Sequence, residues 1–278
     1  METWLIEREP EIYLLLYFAM ICIVAILESL APRRALNAPM LGRWRTNILV
    51  TIVDIAIVRL AFPVLAVGAA LWARENGWGL FNHVAAPTTV AVVGSLVVMD
   101  VSRYWMHRLL HSVPVLWRLH RIHHSDPDYD FSTGLRFHPL EAVVSTAVDL
   151  SIVVLLGAPP LLVAVYGLFS VVMTFFAHAN VNIPAGVDAL VRMVFVTPDV
   201  HRTHHSIDME EANSNFAAIT PIWDRLFGTY RAAPALGHAR MGIGVKDVPV
   251  GEAIGLLAVL RDPFQRRTSG GVSNQTTA

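Results

Sequence analysis

Charged residues are scarce in this 278-residue chain, at 15% of the sequence against roughly 25% in an ordinary soluble domain. Apolar residues make up 54%, a composition that excludes disorder for most of the chain. The formal net charge is −1, so the basic surface of a nucleic-acid binder is missing. Cys22 is the single cysteine, which excludes an internal disulfide scaffold and a metal site built from several thiolates.

Long apolar runs indicate helices in a lipid bilayer. A helix needs about 20 apolar residues to cross roughly 30 Å of hydrocarbon, and residues 12–30 meet this requirement. Further runs lie at roughly 47–73, 88–106, 142–157 and 161–178. The last two are short and are separated only by residues 157–160, so they form either separate spans or a partly inserted hairpin. We predict an all-α integral membrane protein with about four transmembrane helices, or five if both short runs cross.

The charges between the runs predict the orientation of the chain. Residues 31–46 hold four arginines and no acidic residue, which places this loop in the cytoplasm and the N-terminus outside. The third run then returns the chain to the cytoplasm, so a helical, histidine-rich cap is expected on that face. We predict one membrane-embedded domain over residues 1–267. Residues 268–278 are small and polar and are predicted to form a disordered tail.

Histidines are unusually frequent, because ten of the twelve fall between His107 and His205. Residues three and four apart on a helix share one face, with Cβ atoms about 5–6 Å apart, so two such imidazoles converge on one metal ion. The third histidine of a triplet is expected to point about 100° away from the second and to serve another ion or another coordination position. The spaced groups are the pair His107 and His111, the triplet His120, His123 and His124, and the matching triplet His201, His204 and His205.

These eight histidines exceed the four ligands of a tetrahedral zinc ion and therefore predict two metal ions. Imidazole suits iron, zinc, copper and nickel, so the ligands alone leave the metal open. Asp100 and Tyr104 share a helix face with His107 and His111, at spacings of 4, 3 and 4. A carboxylate behind a ligand can orient the imidazole, so Asp100 is predicted to support the site. The alternative for Asp100 is a structural pairing with an arginine.

Three arginines, Arg108, Arg121 and Arg202, each follow the leading histidine of a group. They either pair with aspartates around the site or contact lipid phosphates, a contact worth on the order of 1 kcal/mol. The lipid contact is the favoured interpretation. His83 and His238 are predicted to be ordinary surface histidines.

Taken together, these motifs resemble those of the fatty acid hydroxylase and sterol desaturase superfamily of integral-membrane di-iron oxygenases. The resemblance covers roughly residues 45–232. It rests on DVSRYWMHRLLH at 100–111, HRIHHS at 120–125, RFHPLE at 136–141, HAN at 178–180, HRTHHS at 201–206 and WDRLFGTY at 223–230.

The resemblance implies two irons held by histidines beneath a cytoplasmic helical cap. His178 resembles a further ligand, and His138 resembles a ligand or supporting group of the sterol-oxidase branch. Asn182 stands where some relatives have another histidine. The ligands implied in this way are His107, His111, His120, His123, His124, His178, His201, His204 and His205.

The resemblance implies a di-iron oxidoreductase with dioxygen as co-substrate. It would hydroxylate or desaturate an unactivated C–H bond of a membrane lipid such as a sterol or a fatty acyl chain. The sequence has no G-x-G-x-x-G fingerprint and no fused haem or iron–sulfur module. We therefore expect a separate electron donor of ferredoxin type, or of cytochrome type with its reductase. Lys246 is the only lysine, which together with the short length suggests a bacterial inner membrane.

Two alternative functions would also involve bound metal ions but not the oxidation of a lipid. A zinc-dependent membrane hydrolase is disfavoured because no H-E-x-x-H motif occurs and arginine follows each leading histidine. A non-enzymatic metal-binding or transport protein would place ionisable ligands at the bilayer midplane. In this chain nearly all histidines lie at the ends of the apolar runs or beyond them.

Overall fold

The computed structural model describes residues 2–84 and 86–265. Within these ranges the chain forms helices and no strand, which confirms the all-α prediction. The predicted disordered tail, residues 268–278, lies outside the described residues, and the single domain stays a prediction. The α-helices are α1 Glu2–Leu30, α2 Met40–Ala61, α3 Ala66–Glu75, α4 Leu80–His83, α5 Thr88–Ser112, α6 Pro114–His124, α7 Pro139–Leu156, α8 Pro160–Ala177, α9 Ala185–Val191, α10 Pro198–His204, α11 Met209–Ala212, α12 Ile222–Leu226, α13 Val250–Ala253 and α14 Leu256–Arg261. Short 3₁₀ helices cover Phe131–Leu135 and Asp262–Phe264.

Five helical segments of the described chain are long and apolar enough to cross a membrane: Glu2–Leu30, Met40–His83, Thr88–Ser112, Pro139–Leu156 and Pro160–Ala177. Their outer faces expose large apolar side chains, among them Leu15, Leu60 and Leu155, which are 73%, 83% and 69% exposed. Apolar surface of this extent is unusual on a soluble monomer, whereas lipid tails cover it in a bilayer. The chain is an integral membrane protein.

The second segment differs in detail from the predicted single run over 47–73. It divides into α2 and α3, because Pro63 cannot continue a helix and α2 ends two residues before it. The third helix, α5, extends to Ser112, beyond the apolar run over 88–106, as the shared helix face of Asp100, Tyr104, His107 and His111 predicted. His107 and His111 therefore belong to the last turns of a membrane helix.

The two short runs form a helical hairpin, α7 and α8. Its turn contains Gly157, whose φ of +63° lies in the left-handed region that glycine adopts without strain. Gly79 packs directly against this turn, and a Cβ at Gly79 would lie 2.1 Å from the backbone nitrogen of Gly157. Helix α8 packs against α1 and α3, and half of its most apolar window is buried, so it occupies the centre of the bundle.

The remaining helices form a cap, residues 113–138 and 178–265, at the end of the bundle where α5 and α8 finish and α7 begins. Buried ions hold the cap to the membrane helices. The guanidinium of Arg43 on α2 is completely buried and lies 2.5 Å from a carboxylate oxygen of Asp126 and 2.7 Å from one of Asp130. A buried charge is tolerated only when it is paired and hydrogen-bonded, so this contact fixes the loop between α6 and the first 3₁₀ helix.

Candidate metal centre

Nine histidines converge beneath the cap in two groups. Within each group one nitrogen of every imidazole lies within 4.8 Å of the others. We call them the five-histidine cluster, His107, His111, His120, His124 and His204, and the four-histidine cluster, His123, His178, His201 and His205. These are the nine residues that the sequence motifs selected.

Helix geometry decides which cluster each histidine joins. On α6, His120 and His124 lie four residues apart and both enter the five-histidine cluster, while His123 points into the other. In the second triplet, His201 and His205 share the four-histidine cluster and His204 leaves it. The second and third histidines of each triplet were expected to point apart, and they do lie in different clusters. The first and second, three residues apart, do not share a cluster. The middle one diverges, since an i, i+4 pair faces one side more closely than an i, i+3 pair does.

Facing ring nitrogens characterise both clusters. Each of the following distances joins two Nε2 atoms: 3.1 Å for His107 and His120, 3.1 Å for His111 and His124, 3.2 Å for His123 and His178, and 3.1 Å for His178 and His201. Two nitrogens bound to one ion at about 2.0–2.1 Å, with an angle of about 90–109° between them, lie about 2.8–3.4 Å apart. The observed spacings fall within this interval.

The other ring nitrogens show that the facing pairs are not ordinary hydrogen bonds. His107 Nδ1 lies 2.7 Å from the carbonyl oxygen of Phe216, and His120 Nδ1 lies 2.7 Å from a carboxylate oxygen of Glu141. Since these oxygens accept, each Nδ1 carries a proton. When both rings are neutral, the form that binds a metal, each presents an Nε2 lone pair to the other. Two lone pairs 3.1 Å apart repel each other unless a cation lies between them.

Unpaired buried nitrogens also indicate that the clusters bind metal. Among the described residues, His204 Nε2 and both ring nitrogens of His205 are buried with no hydrogen-bond partner. Buried polar groups in folded proteins nearly always have a partner. A metal ion in each cluster would satisfy these nitrogens, so the donor set fits two metal ions.

Burial keeps these imidazoles neutral at pH 7. It lowers the pKa of His178 to about 4 and the pKa of His204 to about 3. Burial, followed by repulsion from neighbouring histidines, also lowers the pKa well below its ordinary value for His123, His124, His201 and His205. The neutral ring is the form that binds a metal, so the ligands are already deprotonated.

The groups that orient the histidines were mostly missed by sequence reasoning. Glu141 lies in the quoted RFHPLE motif but received no role, and Asn213 was not considered. The other orienting groups are backbone carbonyls, which carry no signal in the sequence. Besides Phe216, they belong to Ser214 for His204, Arg136 for His123 and Thr174 for His178.

The predicted supporting residues on α5 make their hydrogen bonds to residues other than the clustered histidines. Asp100 accepts hydrogen bonds from the hydroxyl of Tyr166, at 3.2 Å, and from Trp223 Nε1, at 2.6 Å. The Tyr104 hydroxyl lies 3.0 Å from Thr229 Oγ1. Both side chains therefore contact the WDRLFGTY segment of the cap.

Two further candidates lie outside both clusters. His138 begins α7, where its Nδ1 accepts from the backbone N–H of Leu140 and its Nε2 donates to the carbonyl oxygen of Leu260. Asn182 is exposed, and its backbone N–H donates to the carbonyl oxygen of Ala31.

The favoured interpretation, that the arginines contact lipid phosphates, was wrong for two of the three. Arg121 Nε lies 2.6 Å from Asp262, and the buried Arg202 lies 2.5 Å from Asp199. Their charges are inside the cap, where a carboxylate partner is required and lipid phosphates cannot reach. His238 is also buried rather than on the surface, with Nε2 3.4 Å from Asp199.

Arg108 differs from the other two. It is partly exposed and lies over the ring of Trp105, 5.2 Å from the centroid.

Comparison with known proteins identifies a family and several relatives of this chain. Residues 92–229 match the family described as fatty acid hydroxylase. The chain is 32% identical over 213 residues to the ornithine lipid hydroxylase OlsE of Rhizobium tropici, a match covering 76% of this chain and 59% of that protein. No solved structure matches the chain.

Two human proteins are also similar. Alkylglycerol monooxygenase of Homo sapiens is 33% identical over 134 residues, 48% of this chain and 29% of that protein. Cholesterol 25-hydroxylase of Homo sapiens is 27% identical over 181 residues, 63% of each. The chain thus spans less than two thirds of the length of each of these relatives. With its histidine clusters and fatty acid hydroxylase domain, the chain belongs to the fatty acid hydroxylase and sterol desaturase superfamily.

Proposed function

We propose that this chain hydroxylates an unactivated C–H bond of a membrane lipid, with dioxygen as co-substrate and two iron ions held by the nine histidines. The observation that carries the proposal is the pair of clusters with facing Nε2 atoms at the end of an apolar helix bundle. Hydroxylation is preferred to desaturation because the similar proteins are named hydroxylases and monooxygenases. The balanced reaction consumes the lipid, dioxygen, two electrons and two protons, and yields the alcohol and water.

Bound iron would supply the activation of dioxygen and the oxidation of the C–H bond. The protein holds nine imidazoles in place, and eight of them are buried, so bulk water is kept from the centre. Glu141 and the backbone carbonyls fix which ring nitrogen faces the metal, an arrangement that tunes metal affinity.

The position of the clusters favours a substrate that enters from the bilayer. His107, His111 and His178 lie at the ends of α5 and α8, so an acyl chain among the membrane helices can reach the centre. We propose that this end faces the cytoplasm of a bacterial inner membrane, where a separate ferredoxin or cytochrome delivers electrons. An ornithine lipid is the first substrate to test, since the relative named for it matches most of this chain.

The test is turnover by the purified chain in lipid nanodiscs, loaded with iron and supplied with a reduced ferredoxin, an ornithine lipid and isotopically labelled dioxygen. We expect labelled oxygen in the lipid, detected by mass spectrometry, and oxygen consumption that requires both reductant and lipid. The control His123→Ala should insert in the membrane and form no product. Labelled lipid from the variant at the wild-type rate, or none from the wild type with any membrane lipid offered, would contradict the proposal.

A further inference from the structure

One short segment orients most of the five-histidine cluster. We call residues 213–216 the strap, because they cross the side of this cluster that faces the cap. Three of the five rings make their Nδ1 contact with it: His111 with Asn213 Oδ1 at 3.2 Å, His204 with the carbonyl oxygen of Ser214 at 2.7 Å, and His107 with the carbonyl oxygen of Phe216 at 2.7 Å.

The strap is held in an uncommon backbone conformation. Asn215, at its centre, has φ of +54°, in the left-handed region where asparagine is better tolerated than most residues. Its side-chain amide donates to the carbonyl oxygens of Val200 and Arg231, and its Oδ1 accepts from the backbone N–H of Arg231. These contacts lock the turn that aims the carbonyls of Ser214 and Phe216 at the histidines.

The carboxylate of Asp224 fixes the far end of the strap. This side chain is completely buried. One oxygen accepts from the backbone N–H of Phe216 at 2.8 Å and from Thr229 Oγ1 at 2.7 Å, and the other accepts from the backbone N–H of Ala217 at 3.0 Å. Thr229 in turn contacts the hydroxyl of Tyr104 on α5, so the carboxylate joins the strap to the helix that carries His107.

The four-histidine cluster has its Nδ1 contacts elsewhere. His123 bonds to the carbonyl oxygen of Arg136, and His178 to that of Thr174. Neither carbonyl belongs to the strap. A shift of the strap should therefore change the ring orientations in the five-histidine cluster and leave those in the four-histidine cluster unchanged.

We propose that Asp224 is a positioning residue that sets the metal affinity of the five-histidine cluster alone. It acts through the backbone of Phe216 and Ala217, and so through the orientation of His107. The inference rests on the proposed function in so far as it requires metal in both clusters. It is independent of the substrate and of the reaction.

The experiment is a titration of the metal-free full-length protein with Co²⁺ in detergent, followed by the visible absorption of the bound ion. In Asp224→Asn an amide replaces the carboxylate, so one of the two acceptor oxygens becomes an N–H donor. This N–H would face the backbone N–H of Phe216 or of Ala217, so we expect the strap to shift. We expect one of two metal equivalents to weaken by about 10–100-fold, the usual cost of losing a group that orients a ligand. The spectrum of that equivalent should change while the other equivalent stays as in the wild type.

Two backgrounds identify the affected cluster. In His123→Ala the four-histidine cluster is disabled, so adding Asp224→Asn should weaken the remaining equivalent. In the double variant His111→Ala/His124→Ala the five-histidine cluster keeps only three histidines and is disabled, and adding Asp224→Asn should leave the remaining equivalent unchanged. Asp188→Asn is the matched control, because Asp188 on α9 is also a buried aspartate but pairs with Arg192, the residue after this helix. It should leave both equivalents unchanged.

The outcomes separate this inference from the proposed function. Two unchanged equivalents in Asp224→Asn, or equal weakening of both, would overturn the positioning role. If Asp224→Asn does not fold, Thr229→Val removes one contact of the same carboxylate and should weaken the same equivalent by a smaller factor. An unaltered titration of Thr229→Val would then overturn the role. A wild type that binds two metals but oxidises no lipid contradicts the proposed function only, whereas a wild type that binds none overturns both.

Discussion

The five-histidine and four-histidine clusters are built from the same ligand but are oriented by different means. In the described part of the chain, Nδ1 hydrogen bonds fix four rings of the first cluster, and one acceptor is the carboxylate of Glu141. In the second, His201 and His205 have buried Nδ1 atoms without a partner among the described residues. Packing holds these rings instead, as with Tyr129, whose ring centroid is 5.1 Å from that of His205.

This difference indicates that the clusters depend on separate parts of the fold. A hydrogen bond fixes both the tautomer and the ring orientation, and a carboxylate also raises the basicity of the ligand, whereas packing fixes only the ring. The four-histidine cluster relies on residues 126–136, which supply Tyr129 and the carbonyl oxygen of Arg136. We expect the five-histidine cluster to bind its metal more tightly.

The largest effect on stability is expected from Arg43→Met, which removes the buried ion pairs that hold the loop supporting the four-histidine cluster. The change leaves the carboxylates of Asp126 and Asp130 buried without their guanidinium. Breaking a buried ion pair costs about 3–5 kcal/mol of unfolding free energy. Thermal unfolding in detergent should show a lower midpoint, and metal analysis should show preferential loss from the four-histidine cluster.

Arg74→Met is the matched control for this change. Arg74 pairs with Glu2 at an exposed position, with both side chains about half exposed, and such pairs contribute about 0–1 kcal/mol. Equal midpoints for the two variants would show that the buried ions do not support the cluster.

A smaller effect is expected from Glu141→Gln, which tests the other cluster. The amide oxygen can still accept from His120 Nδ1, but the negative charge is lost. We expect the affinity of the five-histidine cluster for metal to fall by about tenfold, the lower end of the usual range for such groups. Co²⁺ titration measures this, with the exposed Glu75→Gln as control. An unchanged affinity would show that the carboxylate of Glu141 does not contribute to the difference between the clusters.

The smallest effect is expected from His138→Asn. His138 lies outside both clusters and caps α7, a role that asparagine performs well. Stability should change by less than about 1 kcal/mol, since the cap remains and only the contact with Leu260 is lost. Both metal equivalents should be retained. Loss of either in elemental analysis would identify His138 as a ligand after all.

The parts of the site that follow from local periodicity could be predicted from the sequence. His107 and His111 are four apart on one helix, so their convergence needed no knowledge of the fold. The apolar runs likewise predicted the membrane helices. The apolar run over 88–106 stops before the end of α5, because the last turns of this helix become polar where they meet the cap, and there the spacing of the histidines predicted the helix.

The parts that depend on distant residues could not be predicted. Arg121 pairs with Asp262, which lies 141 positions further along the chain, and no pattern in the sequence joins them. The strap orients histidines largely through backbone carbonyls, which every residue possesses. Glu141 stands five residues after Arg136 in the sequence, but only the fold places its carboxylate against His120.

The central claim is that nine histidines bind two metal ions in two separately supported clusters. Iron content per chain, measured by elemental analysis of the purified protein after loading with iron and removal of excess metal, tests this most directly. The account predicts about two irons for the wild type, and about one each for the double variant His111→Ala/His124→Ala and for His123→Ala, since each leaves only three histidines in one cluster. A single iron in the wild type, or none in either variant while the protein remains folded, would contradict it.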